Sequence, residues 1–374
     1  MHAFPLQVPP WALFELVNYL AAWLPRLQAR LLPPHLHVAM LATGFAHSQA
    51  LHVLARLGVA DSLAGGPLPV ADLARRGGVE ADGLGRLLRA ASSQGIFREV
   101  SPGVWANNRG SSVLRRNHPS SSSLMVQVWG DECYSAYERL GDSLRPGSPT
   151  AFELRHGAPF FDWLLQAGNE QRLAAFHGAL LDSAKAMNAA TLQGYPWHRH
   201  ANQTVSDVGG GHGGFLAALL ARHPGMHGLL VDLPEVVAKA ELYWRRHHPE
   251  LLGRAQLVAG DFFRSVPPAD VFFLRYILHD WGDAQAAAIL RTLRAAIPAS
   301  LEAHITLLIQ DAVLPSKGPP SPLETALDLQ MLAVAGGRER LRGEWEQLLA
   351  SAGFRLRHVH RLRTLTALLE AAPA

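Results

Sequence analysis

One stretch, Thr204 to Val236, restricts what this chain can fold into more than any other part of it. An apolar run suited to a strand (Thr204 to Val208) leads into Gly209-Gly210-Gly211-His212-Gly213-Gly214. An apolar helical run (Phe215 to Arg222), a second strand run (Gly228 to Val231) and then Asp232 follow. Glycines let the backbone turn sharply and let a ligand approach closer than a Cβ would permit. A carboxylate closing the second strand accepts hydrogen bonds from ribose hydroxyls. The unit reads as a nucleotide or nucleoside cradle, so an adenosine-bearing ligand is the first expectation. Gly209, Gly211 and Gly214 satisfy G-x-G-x-x-G, and Asp232 follows Gly209 by 23 residues. Nicotinamide, flavin and S-adenosylmethionine sites share that pattern, so the loop alone leaves oxidoreductase and methyltransferase both open.

From Thr204 onward strand-like runs alternate with helical ones. Strands are expected at 204–208, 228–232, 256–259, 270–275, 304–311, 354–360 and 364–369. Such alternation predicts an open, mostly parallel sheet covered on both faces, with ligands at the carboxyl ends of its strands. The earlier part reads differently. Leu13, Leu16, Val17, Leu20 and Leu24 form one helical stripe over residues 11–24, broken at Pro25, and a second helix is expected from His37 to Leu57. Their apolar area, with Trp11, Phe14, Trp23 and Phe45, exceeds what a small domain needs and suggests a dimer surface. Residues 70–76 and 81–92 predict two short helices, and 96–106 a hairpin, which is the outline of a winged helix. Longer helical segments are expected at 124–144 and 160–192, with a domain boundary between about 160 and 195.

Composition narrows the partners. The 374 residues carry 34 Lys and Arg against 31 Asp and Glu, a net charge of +3. The helix at 81–92 offers Arg86 and Arg89 with no Lys, Asn or Gln to read base edges, so nucleic-acid binding is not expected despite the winged outline. The single cysteine, Cys133, reads as a small apolar residue and forms no intramolecular disulfide. No run of about eighteen apolar residues predicts a membrane span. The N-terminus lacks the pattern of a signal peptide, so a cytoplasmic protein is expected.

Three later segments bear on the chemistry. Gly260-Asp261-Phe262-Phe263 sets a carboxylate beside an aromatic ring at a strand end, suited to an adenine, although a strand-ending Asp with core phenylalanines gives the same pattern. Leu274-Arg275-Tyr276-Ile277-Leu278-His279-Asp280-Trp281 places a histidine after an apolar strand. Gly336-Gly337-Arg338-Glu339-Arg340 is a charged turn before a helix with Trp345. Together with DVGGGHGG (207–214), VDLPEVV (231–237), LDLQML (327–332) and EWEQLLASAGF (344–354), these blocks resemble the S-adenosylmethionine-dependent O-methyltransferases of the plant caffeate and acetylserotonin type, which have bacterial relatives in natural-product pathways. The resemblance covers nearly the whole chain.

That resemblance implies a Rossmann-like α/β catalytic domain with a mostly parallel seven-stranded sheet at residues 191–374. It also implies a mainly helical, winged-helix-like dimerisation and substrate-pocket domain at 1–190. S-adenosylmethionine would be the cofactor and S-adenosylhomocysteine the product, with no metal. Gly209, Asp232, Asp261, Phe262 and Arg275 would bind the cofactor. His279 would be the general base, flanked and oriented by Asp311 and Glu339. Phe176 and Leu180 would contact the acceptor, a small hydroxylated aromatic or polyketide-like molecule, and the protein would be a homodimer. Asp311 departs from the glutamate usual in plant members, being one methylene shorter. Leu341 stands where many members have threonine, and Leu180 where methionine is frequent. Three alternatives stay open: a hydroxylase, decarboxylase or cyclase on the same fold and cofactor, N- or C-methylation, and a winged-helix DNA-binding regulator.

Overall fold

A computed structural model of the chain describes residues 10–318 and 320–374, and of residues 185 and 186 only the backbone. The chain divides into two compact units, residues 24–186 and residues 187–374 together with 10–23.

The second unit is built on a seven-stranded sheet. Its strands are β1 (Thr204–Val208), β2 (His227–Asp232), β3 (Ala255–Ala259), β4 (Val271–Arg275), β5 (Thr306–Asp311), β6 (Phe354–Arg361) and β7 (Ala367–Pro373). The spatial order is β6-β7-β5-β4-β1-β2-β3. β3, β2, β1, β4 and β5 run parallel, while β7 lies antiparallel between β5 and β6. Strand order therefore reverses between β1 and β4, which opens a crevice at their carboxyl ends. Near-continuous apolar runs make these strands suitable for burial on both faces. In β4, Phe272 and Leu274 face one core with helices Asp283–Ala295 and Arg342–Ser351. Val271 and Phe273 face the other, against helices Gly214–Arg222 and Pro234–His247.

The latter core also holds the glycine loop. Trp244 is fully buried, and its indole N–H donates to the carbonyl of His212 at 2.8 Å. One side chain thus packs the helix on the sheet and pins the loop that the first strand delivers.

In the first unit, helices Val70–Gly77 and Ala81–Ser93 pack beside a three-stranded antiparallel sheet. The expected hairpin is there as Arg98–Ser101 and Val104–Ala106. A third strand, Leu68–Pro69, pairs with Val104 and Trp105 and completes the winged-helix outline. Two residues are too short a run for any periodicity to reveal.

Several sequence expectations are corrected here. The first helix runs from Trp11 to Leu31 with Pro25 inside it. Strong helix formers on both sides, among them Ala21, Ala22, Leu24, Leu27 and Gln28, offset the lost N–H bond. The expected helix at 37–57 is two helices, Pro34–Ala42 and Gly44–Arg56, parted at Thr43, whose hydroxyl bonds back to the carbonyl of Ala39. By length and composition Pro34–Arg56 could cross a membrane. Its second half instead buries Ala50, His52, Leu54 and Ala55 within the protein. The expected helix at 124–144 is a succession of short α, π and 3-10 segments, and that at 160–192 is broken before Glu170. Cys133 is buried.

The helix Trp11–Leu31 buries no residue; Leu13, Leu16, Tyr19, Leu24, Leu27 and Leu31 are each more than half exposed. Its start is held within the second unit, where Glu15 pairs with Arg361 at 2.8 Å and Arg363 lies 5.6 Å from the Trp11 ring.

Trp244→Ala should lower the unfolding free energy by about 3–5 kcal/mol, the usual cost of truncating a buried aromatic. Urea denaturation measures it, and an unchanged midpoint would rule out the packing role assigned to this side chain.

Candidate active site

Four strand ends converge at the crevice. The N–H of Gly209 donates to the carbonyl of Val231 at 2.7 Å, tying the glycine loop to β2. Gly209 has φ +71, and a Cβ on it would stand 2.5 Å from the side chain of Ile277 and 3.7 Å from the ring of Phe262. The left-handed φ and the Ile277 side chain together favour glycine at this position.

Asp232, at the end of β2, accepts from the N–H of Gly211 and from that of Leu233, each at 2.8 Å. Burial raises its pKa, while those two backbone donors hold the carboxylate form. Each oxygen keeps a lone pair for another donor. Gly260 N donates to the Asp232 carbonyl at 2.9 Å, which brings the Asp261 and Phe262 segment alongside. Asp261 accepts from Phe263 N at 2.8 Å.

Arg275 closes β4. Its guanidinium donates to Asn188 Oδ1 at 2.6 Å and lies 5.2 Å from the Phe215 ring centroid. Burial pushes the Asp207 carboxyl up to about 7, and the field of Arg275 opposes that rise. A buried cation and a buried carboxyl thus sit at the mouth of the glycine loop. Neither Asn188 nor Asp207 was singled out in the sequence, because nothing local distinguishes an Asn late in a helix or an Asp inside an apolar strand.

His279 lies beyond β4 on a short 3-10 turn, Leu278–Asp280, and is 8 % exposed. Its Nδ1 stands 2.8 Å from Glu339 Oε1, so Nδ1 carries the hydrogen and Nε2 is left as the acceptor. Nε2 is 3.6 Å from Asp280 Oδ1. Glu339 is itself fixed, because its N–H donates to Asp328 Oδ1 at 2.8 Å from helix Pro322–Gln330. Before it, a π-helical turn (Met331–Ala335) ends at Gly336. A Cβ on Gly337 would stand 1.9 Å from the carbonyl oxygen of His279. That contact lets Arg338 N reach the same carbonyl at 2.9 Å. Tyr276, between β4 and this turn, has φ 54, a left-handed conformation unusual without glycine. Its ring centroid is 5.1 Å from that of His279.

Asp311, at the end of β5, is fully buried, and among the described residues neither carboxyl oxygen has a hydrogen-bond partner. It therefore does not orient His279 by a hydrogen bond, as the resemblance implied; its shorter side chain acts on the ring through its field alone. Burial pushes Asp311 up to about 7 and Asp280 up to about 6, against the opposing influence of His279. Burial alone would lower the His279 pKa. Asp280, Asp311 and the hydrogen-bonded Glu339 outweigh it and raise the imidazole to about 10. These groups titrate as a set, and near neutral pH the ring holds a proton it must release before accepting another.

Phe176 and Leu180 belong to the first unit. Phe176 packs edge-on to Phe160 at 5.3 Å, and Leu180 is exposed. Among the described residues, no three His, Cys, Asp or Glu side chains gather as a metal site.

The strand order sets the glycine loop and Asp232 at the switch point where open α/β sheets bind their ligands. Among family models, residues 137–355 match the O-methyltransferase domain, and residues 39–117 the O-methyltransferase dimerisation domain. The chain belongs to the O-methyltransferase family and is an S-adenosylmethionine-dependent enzyme. It is 34 % identical over 334 residues to the phenazine O-methyltransferase PhzM of Lysobacter antibioticus, covering 89 % of this chain and 94 % of that one. It is 35 % identical over 322 residues to the 8-amino-8-demethylriboflavin N,N-dimethyltransferase of Streptomyces davaonensis, covering 86 % and 90 %. Among solved structures, CalO1, a methyltransferase in calicheamicin biosynthesis in its SAH-bound form, superposes with a TM-score of 0.79 at 33 % identity, covering 91 % and 98 %.

Asp311→Asn should stabilise the fold at pH 8 and have little effect near pH 4. A carboxyl whose folded pKa is raised binds more protons folded than unfolded, so its destabilising effect grows from about 3.9 up to the folded value. Thermal melts at the two pH values check the sign; a larger loss at pH 8 than at pH 4 would contradict it.

Proposed function

We propose that this enzyme transfers a methyl group to the hydroxyl of a small aromatic or polyketide-like acceptor, with His279 as general base. The observation that carries the reading is the Glu339–His279 hydrogen bond at 2.8 Å, which leaves Nε2 as the only ring nitrogen free to accept a proton. S-adenosylmethionine, when bound, supplies an activated methyl on a sulfonium and leaves as S-adenosylhomocysteine. Gly209 would lie against it, Asp232 would take the ribose, and Asp261 with Phe262 the adenine. Arg275 and Asp207 offer the opposite charges that an amino-acid end requires.

The proton transfer is the difficult part for the protein. An unperturbed imidazole near 6.5 facing a phenol near 10 makes full transfer uphill by roughly 5 kcal/mol. Asp280, Asp311 and Glu339 raise the ring to about 10, which brings base and phenol level. Glu339 also stabilises the imidazolium that forms and fixes which nitrogen reacts. The remaining acceleration comes from placing acceptor oxygen and methyl carbon in line in a site that excludes water.

We further assign residues 1–190 to a dimerisation and substrate-pocket domain and 191–374 to the catalytic domain. Phe176 and Leu180 would contact the acceptor. The dimerisation-domain match and the exposed apolar face of Trp11–Leu31 support a homodimer, and we assign the enzyme to the cytoplasm. The N,N-dimethyltransferase relative supports a second reading, in which the acceptor atom is an amine nitrogen.

His279→Gln should lower kcat by about 10²–10⁴-fold while S-adenosylhomocysteine still binds, because it removes only general-base assistance. Turnover with a panel of phenols and arylamines, read as S-adenosylhomocysteine release and a gain of one CH2 in the product, decides between the readings. Undiminished turnover by this variant would exclude His279 as the base. The kcat/KM of the wild type should rise with pH on the alkaline side of 6.5, since the raised pKa keeps the ring protonated below it. A limb below pH 6 would contradict the raised value.

A further inference from the structure

A 3-10 turn of three residues has too few hydrogen bonds of its own to fix a catalytic side chain. What holds the Leu278–Asp280 turn from outside is Arg340, whose side chain is completely buried. Burying a guanidinium is costly unless its donors are satisfied, and here all three nitrogens are engaged. Nη1 donates to the carbonyl of Leu278 at 3.0 Å, Nη2 to that of Trp281 at 2.8 Å, and Nε to Asp283 Oδ1 at 2.9 Å. Leu278 and Trp281 bracket His279 and Asp280, so one planar group ties both ends of the turn. Asp283 opens the next helix, and the guanidinium lies 5.1 Å from the Trp345 ring centroid. Arg340 also follows Glu339 directly, so the same two residues fix the histidine's backbone and its ring.

We propose that Arg340 is a positioning residue of the methyl-transfer reaction. Its fork sets the turn so that His279 Nδ1 meets Glu339 and Nε2 faces the acceptor. Its charge acts as well. The groups around the imidazole are Asp280, Asp311 and Glu339, with the neutral Tyr276 phenol, and Arg340 is the cation whose field reaches Asp311. That field favours the charged form of Asp311, one of the carboxyls that raise His279. Lysine could supply that charge, but it is a point charge without the planar fork that spans two carbonyls. The inference rests on His279 being the base.

The test uses Arg340→Met and Arg340→Lys in the full-length enzyme, with His279→Gln in parallel. Arg340→Met should lower kcat by about 10–100-fold, the scale of a misplaced catalytic group. Its KM for S-adenosylmethionine should stay within about threefold, and the ascending limb of kcat/KM should shift from its wild-type position as the cation facing Asp311 is lost. Arg340→Lys should return the limb to its wild-type position while kcat stays reduced by about tenfold, because charge is restored and geometry is not. A purely structural arginine would lower the melting temperature and leave the kcat of the folded fraction and the pH limb unmoved; that result overturns the proposal. If Arg340→Met does not fold, Arg340→Lys decides, and a kcat within about twofold of wild type overturns the proposal. An inactive His279→Gln with a fully active Arg340→Met sinks the positioning role alone. An active His279→Gln sinks the base assignment, and the positioning role with it.

Discussion

The apposition of two backbones underlies the proposed chemistry. The segment 337–340 presses so closely on the 278–281 turn that a Cβ at Gly337 would overlap the carbonyl of His279. From that approach follow the Arg338 N–H bond to the same carbonyl, the Arg340 fork on either side, and the Glu339 carboxylate against Nδ1. A histidine on a short turn is thus made rigid by a second segment docked on it. That segment is in turn anchored by Asp328 and by the helix beginning at Arg342. Precision of this kind matters because in-line transfer tolerates little displacement of the reacting atoms.

Electrostatics builds on the same contact. Three carboxyls and an imidazole share a buried space, and their fields raise the histidine far above its solution value. In the proposed reaction that rise would bring base and acceptor closer in basicity, at the cost of holding a proton in the resting state. Asp311 illustrates the balance, being buried without a hydrogen-bond partner and able to act only at a distance. An unsatisfied buried carboxyl is a stability cost, which sites of function tolerate more than cores do.

Much of this was legible in the sequence, and the parts that were not have physical reasons. The strand runs of the sheet stood out because parallel strands buried on both faces are continuously apolar. Even so the last strand lies at Ala367–Pro373 rather than 364–369, since Thr364 and Thr366 continue the apolar rhythm backwards. Asp232 and His279 drew notice because each follows an apolar strand at its carboxyl end, whereas Gly209, Asp261, Phe262 and Arg275 took their expected roles from the family resemblance. Arg340 could not be singled out, since a completely buried arginine and a solvated one look alike in a sequence. Nor could the missing hydrogen bond of Asp311, since a partnered and an unpartnered buried carboxyl look alike in a sequence. The breaks at Thr43 and in the 123–143 region escaped because periodicity does not separate α from π and 3-10 turns.

The central claim is that Glu339 fixes the tautomer of His279 and, with Asp280 and Asp311, raises its basicity. Ring-nitrogen NMR of the histidine-labelled enzyme, with His279 assigned by its His279→Gln variant, tests it most directly. Nδ1 should stay protonated across the titration and Nε2 should titrate above pH 6.5. Replacing Glu339 by Leu should release the Nδ1 preference and lower the Nε2 titration, leaving the part of the rise that Asp280 and Asp311 supply. A ring protonated on Nε2 when neutral, or one titrating below pH 6.5 in the wild type, would contradict the claim.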